Sequence, residues 1–312
     1  MKQILINGED FETNVAIVDD RRLVNYFTEK HVYARAGSIF RGKVEKIISK
    51  MNFVFLNIGD EKPAFLSEKD YSEVASMDCK RAIAMENTDQ EGVSAAGLFK
   101  KGQEVMVQVL KESYKTKGAR VTTNVSIAGF FTVFSPYTRH IGISRRITDR
   151  NERRRLREII DEVKKSINAD FGVIVRTQAA GADSAEFENE LRVNYEKWKE
   201  IKSRFENRKA PRLLYEDEPV HIKALRENMD SAVNEIITDN RGIYSDAERY
   251  LEENRKTNVE LRLYEGPESI FEYYGVESQV NGLYNGIVPF KKGGYMKIDV
   301  TEALTVIDIN SG

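Results

Sequence analysis

The residues able to do chemistry in this chain are few and scattered. Phe55 and Phe65 lie in short apolar runs of a block that also carries Arg41, Lys43, Lys111 and Lys117. Small β-barrels use this mixture of aromatic faces and cations to hold single-stranded nucleic acid, by stacking and by phosphate neutralisation. The same two Phe would serve equally well inside a barrel core. Lys117 falls in Lys115-Thr116-Lys117-Gly118, which reads as an exposed turn. Arg176-Thr177 closes an apolar strand, where a guanidinium fork and a hydroxyl fit a phosphate as Lys does not; a strand-end Arg paired with a nearby carboxylate is the alternative. Arg145-Arg146 poses the same choice, because a charge cluster is commonly a solvated face. Asp299, Glu302 and Asp308 surround the last strands, and the spacing of Asp308 and Asn310 puts both on one face of a strand. Such oxygen ligands suit magnesium, which takes few protein carboxylates and keeps several waters. A strand-end Asp before an Asn-Ser-Gly turn needs no metal at all.

The elements that must position these groups belong to a large, ordinary globular chain. At 312 residues, 41% hydrophobic and 31% charged, with 6 Pro, it exceeds one compact domain and is not disordered in bulk. Its 48 Lys and Arg are balanced by 50 Asp and Glu, so any basic surface must be local. A single Cys79 cannot make an internal disulfide, and with 3 His no Cys/His zinc cluster can be assembled. A reducing cytoplasm is the expected compartment. The start turns polar too early for a signal peptide, and no apolar run reaches membrane-spanning length.

Ile4 to Ile6, Val15 to Ile17 and Leu23 to Phe27 alternate with turn residues as a β meander. Five short strands at Ile39 to Val44, Phe53 to Gly59, Ala64 to Leu66, Val105 to Leu110 and Arg120 to Thr123 suit a small closed barrel. Between the third and fourth, Ser67 to Phe99 reads as a polar surface insertion. Asp149 to Ile167 is an amphipathic helix with a basic side, and Gly172 to Thr177 a buried strand. Asp183 with Glu186 forms a capping box opening a helix through Phe187, Leu191, Tyr195, Trp198 and Phe205 to the break at Pro211. The last third is expected to hold a helix through Leu225, Met229, Val233 and Ile237, a second capped by Ser245 and Glu248, and strands at Val259 to Leu263, Gly282 to Ile287 and Tyr295 to Val300. Mixed α/β is the class that fits.

Thr301 to Gly312, with Asp308 and Asn310 at its heart, resembles the active-site strand of the bacterial ribonuclease E/G family. Met1-Lys2-Gln3-Ile4-Leu5-Ile6-Asn7, Gly142-Ile143-Ser144-Arg145-Arg146-Ile147, Val173-Ile174-Val175-Arg176-Thr177 and Glu277-Ser278-Gln279-Val280 resemble the same family, in its order. The resemblance implies an α/β multidomain chain. An RNase H-like subdomain would span residues 1–36 and 220–283, with an S1-type OB barrel inserted at 37–123 and carrying its own insertion at about 67–99. A sensor of RNA five-prime ends would follow at 124–219, and the start of a DNase I-like catalytic domain at 284–312. It further implies RNA contacts at Phe55, Phe65, Lys111 and Lys117, and a five-prime-monophosphate pocket at Gly129, Val133, Arg176 and Thr177 with Arg145 and Arg146 beside it. Asp308 would be a magnesium ligand and Asn310 its partner in orienting the scissile phosphate or the attacking water. By this resemblance the second metal-binding aspartate and the cysteines of an intersubunit zinc link are expected beyond Gly312, so the chain would hold only half of the magnesium site. The expected function is a metal-dependent single-strand endoribonuclease of rRNA maturation and mRNA turnover, acting on A/U-rich RNA, with a homo-oligomer for the full-length protein. A non-catalytic RNA-binding module is the alternative, and an α/β protein with an OB barrel and no nuclease role is the third reading.

Overall fold

The computed structural model describes residues 1–31, 35–71, 95–113, 116–229, 232–254, 258–290, 293–301 and 304–311. The chain divides into two compact units, Val32–Asp217 and a second made of Met1–His31 with Glu218–Gly312. The second unit opens with the expected meander, β1 (Lys2–Gly8), β2 (Glu12–Asp19) and β3 (Arg22–Lys30), paired antiparallel in sequence order.

In Val32–Asp217 the five expected strands form as β4 (Ile39–Ile48), β5 (Phe53–Asn57), β6 (Ala64–Leu66), β7 (Glu104–Lys111) and β8 (Arg120–Thr122). They pair in the order β4-β5-β6-β8-β7, and β7 returns to β4, which closes a barrel consistent with an OB-like fold. Alternation along each strand fills its interior with Phe40, Val44, Val54, Leu56, Ala64, Leu66, Val105, Val107, Val109 and Val121. The surface insertion expected at 67–99 is narrower than that. Asp70, near its start, is buried, and Thr122 Oγ1 and the Thr123 amide both donate to its backbone carbonyl. Near its end, after a helical turn α1 (Ala95–Leu98), Phe99 fills the barrel core. Both ends are therefore structural, because a closed barrel needs its mouth plugged; residues 72–94, with Cys79, lie outside the described residues.

Beyond the barrel, β9 (Ile127–Ala128), β10 (Thr132–Ser135), β11 (Ile141–Ile143) and β12 (Gly172–Val175) make a sheet in the order β11-β12-β10-β9. Helices α2 (Arg150–Ile167) and α3 (Ser184–Asn207) supply apolar side chains to the core this sheet belongs to, and β13 (Arg212–Tyr215) pairs with β4. Asp149 caps α2 by accepting from the Asn151 amide at 2.8 Å, and Asn168, at φ +49°, ends it. Leu156, Ile159, Ile160 and Val163 are its buried stripe, contributing on the order of 2 kcal/mol each. Asp183 caps α3 as the capping-box pattern predicts.

The second unit continues with α4 (Val220–Asn228), β14 (Val233–Thr238), α5 (Arg241–Glu253), β15 (Glu260–Leu263), α6 (Ile270–Tyr273) and α7 (Glu277–Tyr284). Its sheet runs β15-β14-β1-β2-β3, with β14 and β15 parallel to β1. Three sequence expectations fail here. The helix through Leu225, Met229, Val233 and Ile237 is helix only to Asn228; Val233 and Ile237 lie on β14, the central parallel strand, with Ile236 in one core and Ile237 in the other. A four-residue spacing is even as well as near-helical, and the β-branched run Val233–Thr238 decides for strand. The cap of α5 is Asn240, accepting from the Gly242 and Ile243 amides at 2.9 and 3.2 Å, while Ser245 sits inside the helix and donates to the Arg241 carbonyl. Gly282 belongs to α7, and the strand expected from it starts only at β16 (Ile287–Pro289). β16, β17 (Tyr295–Val300) and β18 (Thr305–Asn310) form a separate antiparallel sheet. Among the described residues no helix is long and apolar enough to cross a membrane.

An ion pair fastens α2 to the turn before α3. Arg155 grips Glu152 through both carboxylate oxygens at 2.7 and 2.8 Å and reaches the Ala182 carbonyl and Ser184 Oγ, while the Gly181 amide donates to Glu152. The Arg155 hydrogen bonds, outweighing desolvation, bring the Glu152 carboxyl from 4.5 down to about 2. A carboxyl depressed by folding adds stability above its ordinary value, and that stability fades as pH falls through the folded value. Glu152→Gln is therefore expected to melt below the parent protein at pH 7, and the gap should narrow between pH 4.5 and 2; a gap independent of pH in thermal melts would contradict it.

Candidate RNA-holding face and five-prime-end pocket

The barrel core decides the choice left open for Phe55 and Phe65. Val54 and Leu56 on β5, and Ala64 and Leu66 on β6, point inward, so Phe55 and Phe65 point out. They are direct partners across the β5/β6 ladder with rings 5.7 Å apart, and Phe53, which sequence reading passed over, packs edge-on to Phe65 at 4.8 Å. Register extends the row in both directions: Lys46 lies opposite Phe55, Arg120 opposite Phe65, and Lys111 opposite Arg120. A band of cation, aromatic, aromatic, cation, cation thus crosses the outside of the barrel.

Arg120 is held in that band by Asp70, which it grips at 2.8 and 2.9 Å. Burial pushes the Asp70 carboxyl up, but hydrogen bonds from Arg120 and Ser67 outweigh it and leave the group below its ordinary range. Lys111 and Lys117 are both exposed. Gly118 permits the turn that carries Lys117, because a Cβ there would stand 2.0 Å from the Pro63 carbonyl oxygen. Arg41, which composition groups with these cations, belongs elsewhere: its guanidinium stacks 4.6 Å over Phe205 and donates to the Phe205 carbonyl. Lys43 is exposed, opposite Asn57 and Glu104.

The second group is assembled by strand direction. β11 and β12 are parallel and β10 is antiparallel to β12. The residues after β11, those after β12 and those before β10 therefore emerge at one end of the sheet. Ser144 to Arg146, Arg176 with Thr177, and Gly129 to Phe131 meet there. The Arg176 amide donates to the Phe131 carbonyl at 2.7 Å and its Nη1 to the Gly129 carbonyl at 2.9 Å. The hydroxyls of Thr177 and Ser144 are 3.0 Å apart, and the Arg146 amide donates to Ser144 Oγ. Arg145 and Arg146 are exposed beside them, while Val133 lies one residue further in, half-buried and opposite Ile174. Sequence reading missed Ser144 and Arg153, whose Nη1 donates to the carbonyls of Ser144 and Ile147 at 2.9 and 3.0 Å and shapes the loop. Its place in a basic helix face gave no sign of this.

The last candidates lie on β18. Asp308 is exposed, accepts from Asn310 Nδ2 at 3.0 Å and stands opposite Lys297, which pairs with Asp299 at 3.2 Å. Glu302 lies outside the described residues. No group of three or more His, Cys, Asp or Glu able to hold a metal occurs among the described residues. One carboxylate with an amide beside it does not by itself make a magnesium site.

Residues 126–312 match the model of the Ribonuclease E/G family. The chain belongs to that family. Along its whole length it is 34% identical to Ribonuclease E of Haemophilus influenzae over 316 residues, covering 33% of that protein. It is 32% identical to a Putative ribonuclease E of Buchnera aphidicola subsp. Baizongia pistaciae over 316 residues, covering 75% of it. Ribonuclease G of Escherichia coli strain K12 is 31% identical over 313 residues, 99% of this chain and 62% of that protein. The chain spans about a third of the length of the ribonuclease E relatives, such as that of Haemophilus influenzae. The family match takes in the whole sheet-end group, from Gly129 to Thr177, and β18.

Removing the Arg153 guanidinium takes a donor from two carbonyls of the 143–147 loop. Arg153→Ala is expected to destabilise Val32–Asp217 by about 2 kcal/mol and to raise amide exchange in that loop; unchanged exchange there would show that the guanidinium does not shape it.

Proposed function

We propose that this chain holds and orients RNA for a metal-dependent single-strand endoribonuclease of rRNA maturation and mRNA turnover. The observation that carries the RNA-holding part is the outward row Lys46, Phe55, Phe65, Arg120 and Lys111. Aromatic rings there offer stacking platforms of sequence-tolerant strength, and the flanking cations meet the phosphates. Family membership supports the nuclease part. In this reading the barrel is S1-type, and 124–219 is a sensor whose Arg176, Thr177, Arg145 and Arg146, with Gly129 and Val133, receive a five-prime monophosphate. The sheet β15-β14-β1-β2-β3 is RNase H-like, and β16 to β18 begin a DNase I-like domain. Asp308 gives one carboxylate to magnesium, and Asn310 is its partner in orienting the scissile phosphate or the attacking water. A/U preference, cytoplasmic location, a homo-oligomer and a zinc link in a longer protein belong to the same proposal and rest on the family resemblance.

A second reading, a non-catalytic RNA-binding module, is favoured by the single carboxylate on β18. The two readings separate in a longer protein that continues past residue 312. There Asp308→Asn should abolish magnesium-dependent cleavage and spare RNA binding. Retained cleavage would remove Asp308 from the site, and an inactive parent would favour the binding module.

In the 312-residue chain, Phe55→Ala with Phe65→Ala should weaken binding of an A/U-rich single strand at least about ten-fold, since each stack is worth about 1–3 kcal/mol. Lys111→Ala should reduce the slope of log affinity against log salt by about 0.7. Arg176→Ala should erase a preference for five-prime-monophosphate over five-prime-hydroxyl RNA while leaving hydroxyl-ended binding intact. Equal affinity of the unaltered chain for both ends would sink the sensor assignment, and full affinity without the two Phe would sink the barrel face.

A further inference from the structure

We infer that Glu190 is a positioning residue of the five-prime-end pocket: from α3 it holds the 129–132 loop rigid, and through that loop it aims the Arg176 guanidinium at a terminal phosphate. The inference rests on the sensor reading of this region. Among the described residues, Glu190 makes no hydrogen bond to Ser144, Arg145 or Thr177, yet the loop is built around its carboxylate. The Phe131 amide donates to both of its oxygens at 3.1 and 3.0 Å, the Thr132 amide to Oε1 at 2.8 Å, and the Thr132 hydroxyl to Oε1 at 2.7 Å. Hydrogen bonds to a charged acceptor are roughly twice as strong as neutral ones, so this cluster fixes the loop more firmly than its own backbone could. Asn194, one turn along the same helix face and almost wholly buried, also donates to the Thr132 hydroxyl, at 3.4 Å.

Gly129 carries the same message. A Cβ built on it would lie 2.4 Å from Glu190 Oε1 and 2.5 Å from its Cδ. The glycine makes room for the carboxylate, so its place among the pocket residues follows from Glu190 as well as from any ligand. The loop then passes its geometry to Arg176, whose Nη1 donates to the Gly129 carbonyl and whose amide donates to the Phe131 carbonyl. Main chain and guanidinium of one residue are thus both fixed to the segment that Glu190 organises. There is a consequence for the ligand. The amides of Phe131 and Thr132 are turned to Glu190, so a phosphate at this sheet end is met by side chains at the ends of β11 and β12, namely Arg176, the Thr177 hydroxyl and the Ser144 hydroxyl bonded to it.

The test uses the 312-residue chain and A/U-rich single-stranded RNA carrying either a five-prime monophosphate or a five-prime hydroxyl. Glu190→Ala should bring the affinity ratio of the two ends to near one without weakening hydroxyl-ended RNA. Glu190→Gln, which keeps one oxygen to accept from the two amides, should restore part of the ratio. Gly129→Ala should lose the ratio in the same way, and Gly129→Ala with Glu190→Ala should be no worse than either alone, because the two changes act through one contact. Amide exchange at 129–133 should rise in Glu190→Ala and stay unchanged in Arg176→Ala. A full ratio in Glu190→Ala, with the ratio lost in Arg176→Ala, would overturn the role of Glu190 and leave the sensor reading standing. No end preference in the unaltered chain would remove the sensor reading and this inference together. Should Glu190→Ala fail to fold, a full ratio in both Glu190→Gln and Gly129→Ala would overturn it.

Discussion

Strand β4 sends Ile39 into one hydrophobic core and its neighbour Phe40 into another. Because successive side chains of a strand point to opposite faces, this single step makes β4 the wall shared by the barrel and the layer of β9 to β12 with its two helices. The facing strand obeys the same rule: Met106 joins Ile39, while Val105 and Val107 join Phe40. β4 pairs with β13, β5 and β7 along its ten residues, so its register is fixed from three directions. A slip of one residue would turn every side chain to the wrong core. The orientation of Phe55 and Phe65 follows from this: with Val54, Leu56, Ala64 and Leu66 committed inward, the aromatic residues between and beside them have only the outer face.

Electrostatics then works on groups whose backbone is already placed. A whole-chain balance of 48 basic against 50 acidic residues gives no attraction for RNA. What counts is that register lines up Lys46, Arg120 and Lys111 beside two rings, and that Asp70 takes one of those cations into a bidentate pair on the barrel wall. Arg120 therefore contributes shape and part of a charge, and in the proposed function Lys46 and Lys111 are the stronger phosphate neutralisers of the row. Arg41 shows the converse. It is as basic as they are, but on the inner side of the unit it serves Phe205 and Glu104.

Local signals in the sequence marked most of these elements. The meander, the five barrel strands, the Asp183 cap and the amphipathic stripe of α2 all follow from period and capping chemistry, and all form. The errors lie where local rules are ambiguous. Leu225 to Ile237 fits a helix by spacing, but the sheet claims Val233 onward because β14 must lie between β1 and β15. Ser245 fits a cap by type, but Asn240, two residues beyond the end of β14 at Thr238, takes that place. Of the candidate site, residue type offered Phe55, Phe65, Arg176 and Thr177 only alongside a structural alternative and the family resemblance selected them, but Phe53, Arg120, Ser144, Arg153 and Glu190 were not legible. Apart from Arg153, whose partners Ser144 and Ile147 lie just before its helix, each acts through a partner distant in sequence, such as Glu190 at Thr132 or Arg120 at Asp70, and such pairings exist only after strand order is known.

The two kinds of candidate site differ in how firmly their surroundings determine them, and function follows the difference. Phe55, Phe65, Arg176 and Thr177 stand on or directly beyond strands whose alternate residues are fully buried, so their directions are set by packing that resists displacement. Asp308 stands on a three-stranded sheet whose strands expose Val306, Ile307 and Ile309 at 47%, 57% and 66%. Among the described residues, the hydrogen bond its carboxylate accepts is from the Asn310 amide. Gripping a flexible single strand depends on rings and cations held at constant spacing, which a closed barrel and a parallel strand pair provide by themselves. Orienting a scissile phosphate to a fraction of an ångström requires ligands that converge and are supported from behind, and among the described residues β18 supplies one carboxylate without that support. In the proposed function, holding RNA and cutting it are therefore separable, with the first resting on the two candidate sites of Val32–Asp217.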